Sequence, residues 1–153
     1  MKKFRLNAGF TLVELLIVVL IVGILARLAY PNYLNATLKS GRADAKVALG
    51  EVAQRLQRCF TTGNKFNPST TGACTIYDSI KSSASGFTSS EGFYVIKEAQ
   101  ANDVSATSFI ITAAPVSTKR QSKDTKCAKL TLTHTGVRAA YDSGGTDTTS
   151  ECW

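Results

Sequence analysis

At 153 residues the chain has room for one modest domain plus an anchoring element, and its 44% hydrophobic content is strongly concentrated near the start. The formal charge of +7, from 18 basic and 11 acidic residues, falls to +4 if residues 1–9 with Lys2, Lys3 and Arg5 are removed. One histidine, His134, and four cysteines without a CxxC pair argue against a zinc centre; no Gly-rich phosphate loop, HExxH or GxSxG is present, so neither an enzyme nor a cofactor is expected.

The first element is an apolar run over residues 10–26, preceded by a basic flank that orients it with the flank on the cytoplasmic side. The run is slightly shorter than the ~20 residues a membrane helix needs, and its flanks make up the difference. Composition alone favours a secretory signal peptide. Two features oppose that reading. No small-x-small cleavage site follows the run, since Arg27 lies two positions before Ala29, and Glu14 sits inside it, where an ionised carboxylate is expensive without a partner.

Gly9-Phe10-Thr11-Leu12-Val13-Glu14, followed by Leu15-Leu16-Ile17-Val18-Val19, resembles the prepilin signature of type IV pilins and type II secretion pseudopilins. The resemblance implies that a prepilin peptidase cuts after Gly9, giving a leader over residues 1–9, and that the new N-terminus, Phe10, is methylated. It also implies that Glu14 neutralises the N-terminal amine of a neighbouring subunit during assembly, a pairing that makes both charges tolerable in an apolar core. Pro31 matches a family proline that kinks or locally melts the helix by removing one hydrogen bond. Arg27 stands where the family commonly has a small residue; in the membrane it is expected to snorkel to the outer interface. Residues 10–36 are then anchor and filament core, and residues 37–153 a pilin head.

The next element is amphipathic. Leu38, Gly41, Ala45, Ala48, Leu49, Val52, Leu56, Cys59 and Phe60 recur at steps of three and four, predicting a helix that lays an apolar stripe on a sheet, while Lys39, Arg42, Lys46 and Glu51 face elsewhere. Residues 61–92 read as turns and loops. Strands are expected over 93–97, 109–113, 130–133 and 137–141, the last two joined by a tight turn at Thr135-Gly136. The expected fold is α+β and type IV pilin-like: a long kinked N-terminal helix packed on a four-stranded antiparallel sheet.

Four cysteines in an exported chain read as two disulfides, with three pairings open. The local scheme, Cys59 with Cys74 and Cys127 with Cys152, is favoured because each bridge closes a short loop and contributes roughly 3 kcal/mol. Phe93-Tyr94, the stretch 109–115, Asp124-Thr125-Lys126-Cys127, Leu130-Thr131-Leu132-Thr133 with Gly136, and Cys152-Trp153 resemble, in that order, minor pilins ending in Cys-Trp. The resemblance implies that residues 127–152 form the family's surface-facing, variable disulfide region.

Lys119, Arg120, Lys123, Lys126, Lys129 and Arg138 stand against one acid, Asp124, within 20 residues. Such a cluster is the footprint of a polyanion site, with Tyr141 and Trp153 available for stacking. The plain alternative is a solvated loop that keeps the head soluble. Resemblance to the ComP-type competence pilins favours double-stranded DNA taken up for natural transformation. The expected function is therefore a type IV pilus (minor) subunit, held in the inner membrane by a single pass before assembly and extracellular afterwards, with other pilin subunits as partners. The rival readings are a purely structural or adhesive pilin and a type II secretion pseudopilin. His134, Asp142 and Asp147 lack a nucleophile at motif spacing and read as surface residues.

Overall fold

The computed structural model of the chain describes residues 10–81 and 83–153, so the expected cut at Gly9 and the leader lie outside the described residues. The chain divides into two compact units, one ending at Thr37 and the other running Leu38–Trp153. The first helix, α1, is Leu12–Gly63.

α1 starts where the sequence supplies a cap: Thr11 Oγ1 accepts from the Glu14 amide at 3.2 Å. Thr11-Leu12-Val13-Glu14 is thus a Thr-x-x-Glu capping sequence, and Glu14 stands in the first turn, where a negative charge complements the helix dipole. Helical geometry continues through Pro31. The proline still lacks an N–H, so the bond that would close on the Arg27 carbonyl is absent. α1 ends at Gly63, with Asn64 in the left-handed region at φ 55° and its amide bonded to the Phe60 carbonyl. Asparagine is one of the few residues that stop a helix this way.

Within the unit Leu38–Trp153, the stripe on α1 is the core face: Gly41, Ala45, Ala48, Leu49, Val52 and Leu56 are buried. Opposite them lie Tyr94 and Ile96 of β2 (Tyr94–Glu98), Ile111 and Ala113 of β3 (Ile110–Pro115), Leu130 of β4 (Lys129–Thr133) and Ala140 of β5 (Arg138–Tyr141). Each is on the alternate position that points a strand residue to one face. Phe60, Phe66 and Phe109 close one side of the core, with ring centroids 4.7 Å and 5.0 Å apart.

The sheet has five strands, not four, in the order β1-β2-β3-β4-β5 with every pair antiparallel. The additional strand, β1 (Phe87–Thr88), pairs with Ile96 and Val95. Two residues carry no alternation, so periodicity has nothing to register there. A second correction falls in the stretch expected to be loop: α2 (Thr75–Ile80) is a helix. It is too short to stand alone. Ile76 and Ile80, one turn apart, bury it in the core, and the Cys59–Cys74 disulfide just before it ties it to α1. The β4–β5 turn has Gly136 at φ +83°, and Thr133 exchanges backbone bonds with Val137 and Gly136. A final single turn, α3 (Thr149–Cys152), is fastened by the Cys127–Cys152 disulfide.

Candidate nucleic-acid interface

The acid within the basic segment is not a surface group. Asp124 is 3% exposed and accepts from Arg42 Nε at 2.7 Å and a second guanidinium nitrogen at 3.0 Å. Its oxygens also receive Gln121 Nε2 at 3.2 Å and the Cys127 amide at 3.3 Å. A bidentate guanidinium–carboxylate pair of this kind is among the strongest charge-assisted contacts. Gln121, fully buried, donates to the Leu38 carbonyl as well, at 3.0 Å. Gly41 makes room for it, because a Cβ at that position would collide with the Gln121 carboxamide. Burial pushes the Tyr94 phenol up to about 12, with the Gln121 side chain acting in the opposite direction. The carboxamide lies beside the phenol without closing a hydrogen bond of normal geometry.

This anchorage fixes a 3-10 turn, Arg120–Lys123, whose buried member is Gln121 and whose cations therefore point to solvent. All six basic residues expected at the site are exposed, but they resolve into separate groups. Lys119, Arg120 and Lys123 belong to the turn, with the Arg120 guanidinium 4.7 Å from the centre of the Phe93 ring. Lys129 lies 5.0 Å over the Tyr141 ring, its register partner across β4 and β5. Arg138 pairs in register with Leu132 and so lies on the opposite face of this two-stranded ribbon. It covers the Trp153 ring at 5.3 Å. Lys126 is bonded to Glu151 at 2.7 Å, both largely exposed.

One functional candidate escaped the sequence reading. Lys46 of α1 stands 5.8 Å from the Trp153 ring and completes a group with Arg138. Burial, then the positive charges of Arg42 and Arg138, lowers the Lys46 ammonium below its ordinary pKa. Like charges are thus held close enough to repel, both Lys46 and Arg138 lie over the indole, and its Nε1 donates to the Ala139 carbonyl at 2.8 Å. The available signal was the four-residue spacing of Arg42 and Lys46, which puts both on one helix face.

The acids nearby are structural. Asp142 Oδ1 accepts from the Thr146 and Gly144 amides, both at 2.8 Å, and Asp147 from the Thr149 amide at 2.8 Å. The Thr146 amide holds Asp142 below its ordinary pKa, the Thr149 hydroxyl and amide do so for Asp147, and Lys126 does so for Glu151. Groups depressed in this way stabilise the fold above their unfolded values and lose that contribution as pH falls through the folded ones. Thermal unfolding should accordingly give a Tm that is flat between about pH 5 and pH 8 and falls steadily below about pH 4.

Comparisons with known proteins follow the same outline. The family described as "Type IV minor pilin ComP, DNA uptake sequence receptor" matches residues 31–131, and the prokaryotic N-terminal methylation motif matches residues 4–29. The type IV major fimbrial protein FimA of Dichelobacter nodosus is 40% identical over 60 residues, 39% of this chain and 38% of that protein. A probable minor fimbrial protein of the same organism is 38% identical over 63 residues, 41% of this chain and 38% of that protein. The chain thus covers well under half the length of these relatives. The crystal structure of the non-core minor pilin PilV of Neisseria meningitidis shares the fold, with a TM-score of 0.50 at 16% identity over 72% of this chain and 93% of that one. With more than half of its residues matched, the chain belongs to the ComP family of type IV minor pilins, which are filament subunits and not enzymes.

Proposed function

We propose that the exposed cations of the unit Leu38–Trp153 bind double-stranded DNA as the subunit stands in a type IV pilus, serving uptake for natural transformation. The observation that carries this reading is the removal of Asp124 from the surface by Arg42, which leaves Lys119, Arg120 and Lys123 with no carboxylate partner among the described residues. Cations held this way exchange condensed counterions for phosphates. The family's description as a DNA uptake sequence receptor supports the same ligand. The Lys46–Trp153–Arg138 group gathers two further cations on one indole and adds to the positive potential of the same unit.

The reading extends to processing and location. Cleavage after Gly9, methylation at Phe10, and Glu14 meeting a neighbour's amine form one sequence of events, supported by the methylation-motif match. Residues 10–36 are proposed as the single pass in the inner membrane and then the filament core, with residues 37–153 as the head, a prepilin peptidase as processing partner and other pilins as assembly partners. An uninterrupted apolar helix with mean hydropathy 2.7 in its most apolar stretch fits that role.

A structural or adhesive head is favoured by a different observation: Arg120, Lys129 and Arg138 rest on aromatic rings and Lys126 on Glu151, so four of the six cations have internal partners. Binding measured against salt decides between the two. The unit Leu38–Trp153 should bind a short duplex with log K falling linearly in log salt, and each phosphate contact removed should reduce the slope by about 0.9. Reversing Lys119, Arg120, Lys123 and Lys126 to glutamate should abolish binding. An unaltered head with no salt-dependent affinity overturns the DNA reading and leaves the structural one.

A further inference from the structure

Between Leu15 and Leu38 the sequence carries a single charged residue, Arg27. Among the described residues its side chain makes no ion pair and no hydrogen bond. Its backbone is under-satisfied too. Pro31 lies inside α1 without an N–H, so the Arg27 carbonyl lacks the donor that a helix ordinarily supplies. A lone cation and a lone acceptor thus belong to one residue. The rise of α1 from Leu12 to Ala26 is about 21 Å, against a hydrocarbon core about 30 Å thick. A stretch this short draws the lipid headgroups toward its end, which is Arg27. Tyr30 and Tyr33, 65% and 66% exposed, stand in the next turns, and tyrosines of this kind favour the headgroup level. Tyr30, three residues on, lies on the same side of the helix as Arg27.

We infer that Arg27 docks the headgroup of a phosphatidylethanolamine molecule in the outer leaflet of the inner membrane, its guanidinium taking the phosphate and its carbonyl the ammonium. This rests on the single-pass reading of residues 10–36 and names the lipid which that segment holds. The choice of lipid follows from the two groups to be met. A guanidinium forms two parallel bonds to one phosphate, and any phospholipid offers that phosphate. The carbonyl needs a donor close beside it. A choline headgroup has no N–H to give, and the hydroxyls of a glycerol headgroup give only neutral bonds, about half as strong as a charge-assisted one. A carboxylate from another protein would meet the cation and leave the carbonyl alone. Ethanolamine phosphate carries its anion and its charged donor two carbons apart, one for each half of the residue. The Tyr30 hydroxyl is a donor for a remaining phosphate oxygen. A carbonyl without a donor at the edge of the hydrocarbon is costly, which gives the ammonium contact its weight. Leaving the bilayer gives up both contacts, so the headgroup holds the subunit in the membrane until a filament surface replaces it.

The test places the full-length chain in phosphatidylcholine vesicles with a trace of spin-labelled phosphatidylethanolamine, phosphatidylcholine or phosphatidylglycerol. Electron paramagnetic resonance then reads the fraction of each label immobilised by the protein. The ethanolamine label should be preferred over the choline label about three- to tenfold, the range that one net hydrogen bond provides. High salt should leave that preference in place, because it does not rest on the net charge of the lipid. Pro31→Ala returns a helical donor to the carbonyl and should abolish the preference although Arg27 is retained. Arg27→Gln should abolish it as well, and Arg27→Lys should restore part of it. Equal immobilisation of the ethanolamine and choline labels overturns the inference, as does a preference that Pro31→Ala leaves intact. A dominant preference for the glycerol label that vanishes in salt also overturns it, assigning Arg27 to general attraction for an anionic surface. Insertion is scored separately by resistance to alkaline carbonate extraction. A chain that is extracted overturns the single-pass reading and the docking together; a chain that stays but shows no preference overturns the docking alone. The salt titration of DNA binding by the head involves none of these residues and is independent.

Discussion

Replacing Asp124 by alanine is expected to destabilise the unit Leu38–Trp153 by about 3–5 kcal/mol, because it leaves the Arg42 guanidinium buried without its counter-charge. Arg42 is 11% exposed and cannot regain water without opening the contact between α1 and the 3-10 turn. The loss extends beyond one pair. Asp124 also receives Gln121 Nε2 and the Cys127 amide, so its removal takes an acceptor from the turn itself and from the chain that follows it. A change of this size corresponds to a fall in Tm on the order of 10–20 °C, measurable by calorimetry with the disulfides intact. The double variant Arg42→Met/Asp124→Leu should recover part of it, since an apolar pair of similar volume needs no counter-charge while the Cys127 amide still lacks its acceptor. A Tm for Asp124→Ala within a few degrees of the unaltered protein overturns this account. DNA binding should fall in parallel, as Lys119, Arg120 and Lys123 lose the platform that holds them together.

The contrast between Asp124 and its neighbours shows where sequence reading reaches and where it stops. The α1 stripe was legible because six buried residues recur at helical spacing and no tertiary information is needed to see it. The β4–β5 hairpin was legible because Gly136 marks the turn. Strand β1 and helix α2 were not, since two residues show no alternation and six show barely one turn; both exist only because the core and Cys74 hold them. Asp124 read as one weak acid in a basic run because charge counting does not know about Arg42, which lies 82 residues earlier. Lys46 read only as one residue of the polar helix face, because its partner Trp153 is far along the chain. Non-local contacts turn a +5 excess of charge in one segment into distinct groups on a surface.

The second large effect concerns Cys127–Cys152. This bridge closes a stretch that contains all of β4 and β5 and ends beside Trp153, and the chain-entropy relation assigns such a loop about 3–4 kcal/mol. Both sulfurs belong to buried residues, 0% and 1% exposed, so serine in their place also puts two hydroxyls into the core. The Cys127→Ser/Cys152→Ser variant should therefore unfold at markedly lower urea than the parent. The structural cost is concentrated where the bridge acts. α3 is a single turn fastened by that bond together with the Ala140 amide donating to Thr149 Oγ1 and the Thr148 hydroxyl donating to the Lys126 carbonyl, and Trp153 reaches the Ala139 carbonyl from its end. Trp153 is the sole tryptophan, so its fluorescence reports this segment alone, and its emission should shift to the red before the global transition. The turn Arg120–Lys123 is anchored through Arg42 and Leu38, independently of the bridge, and should keep its share of the salt-dependent DNA affinity below that transition. A variant whose tryptophan emission and urea midpoint match the parent shows that α3 holds without the bond. Loss of all DNA affinity in the still-folded variant places the binding charge at Arg138 and Lys46 instead of the turn.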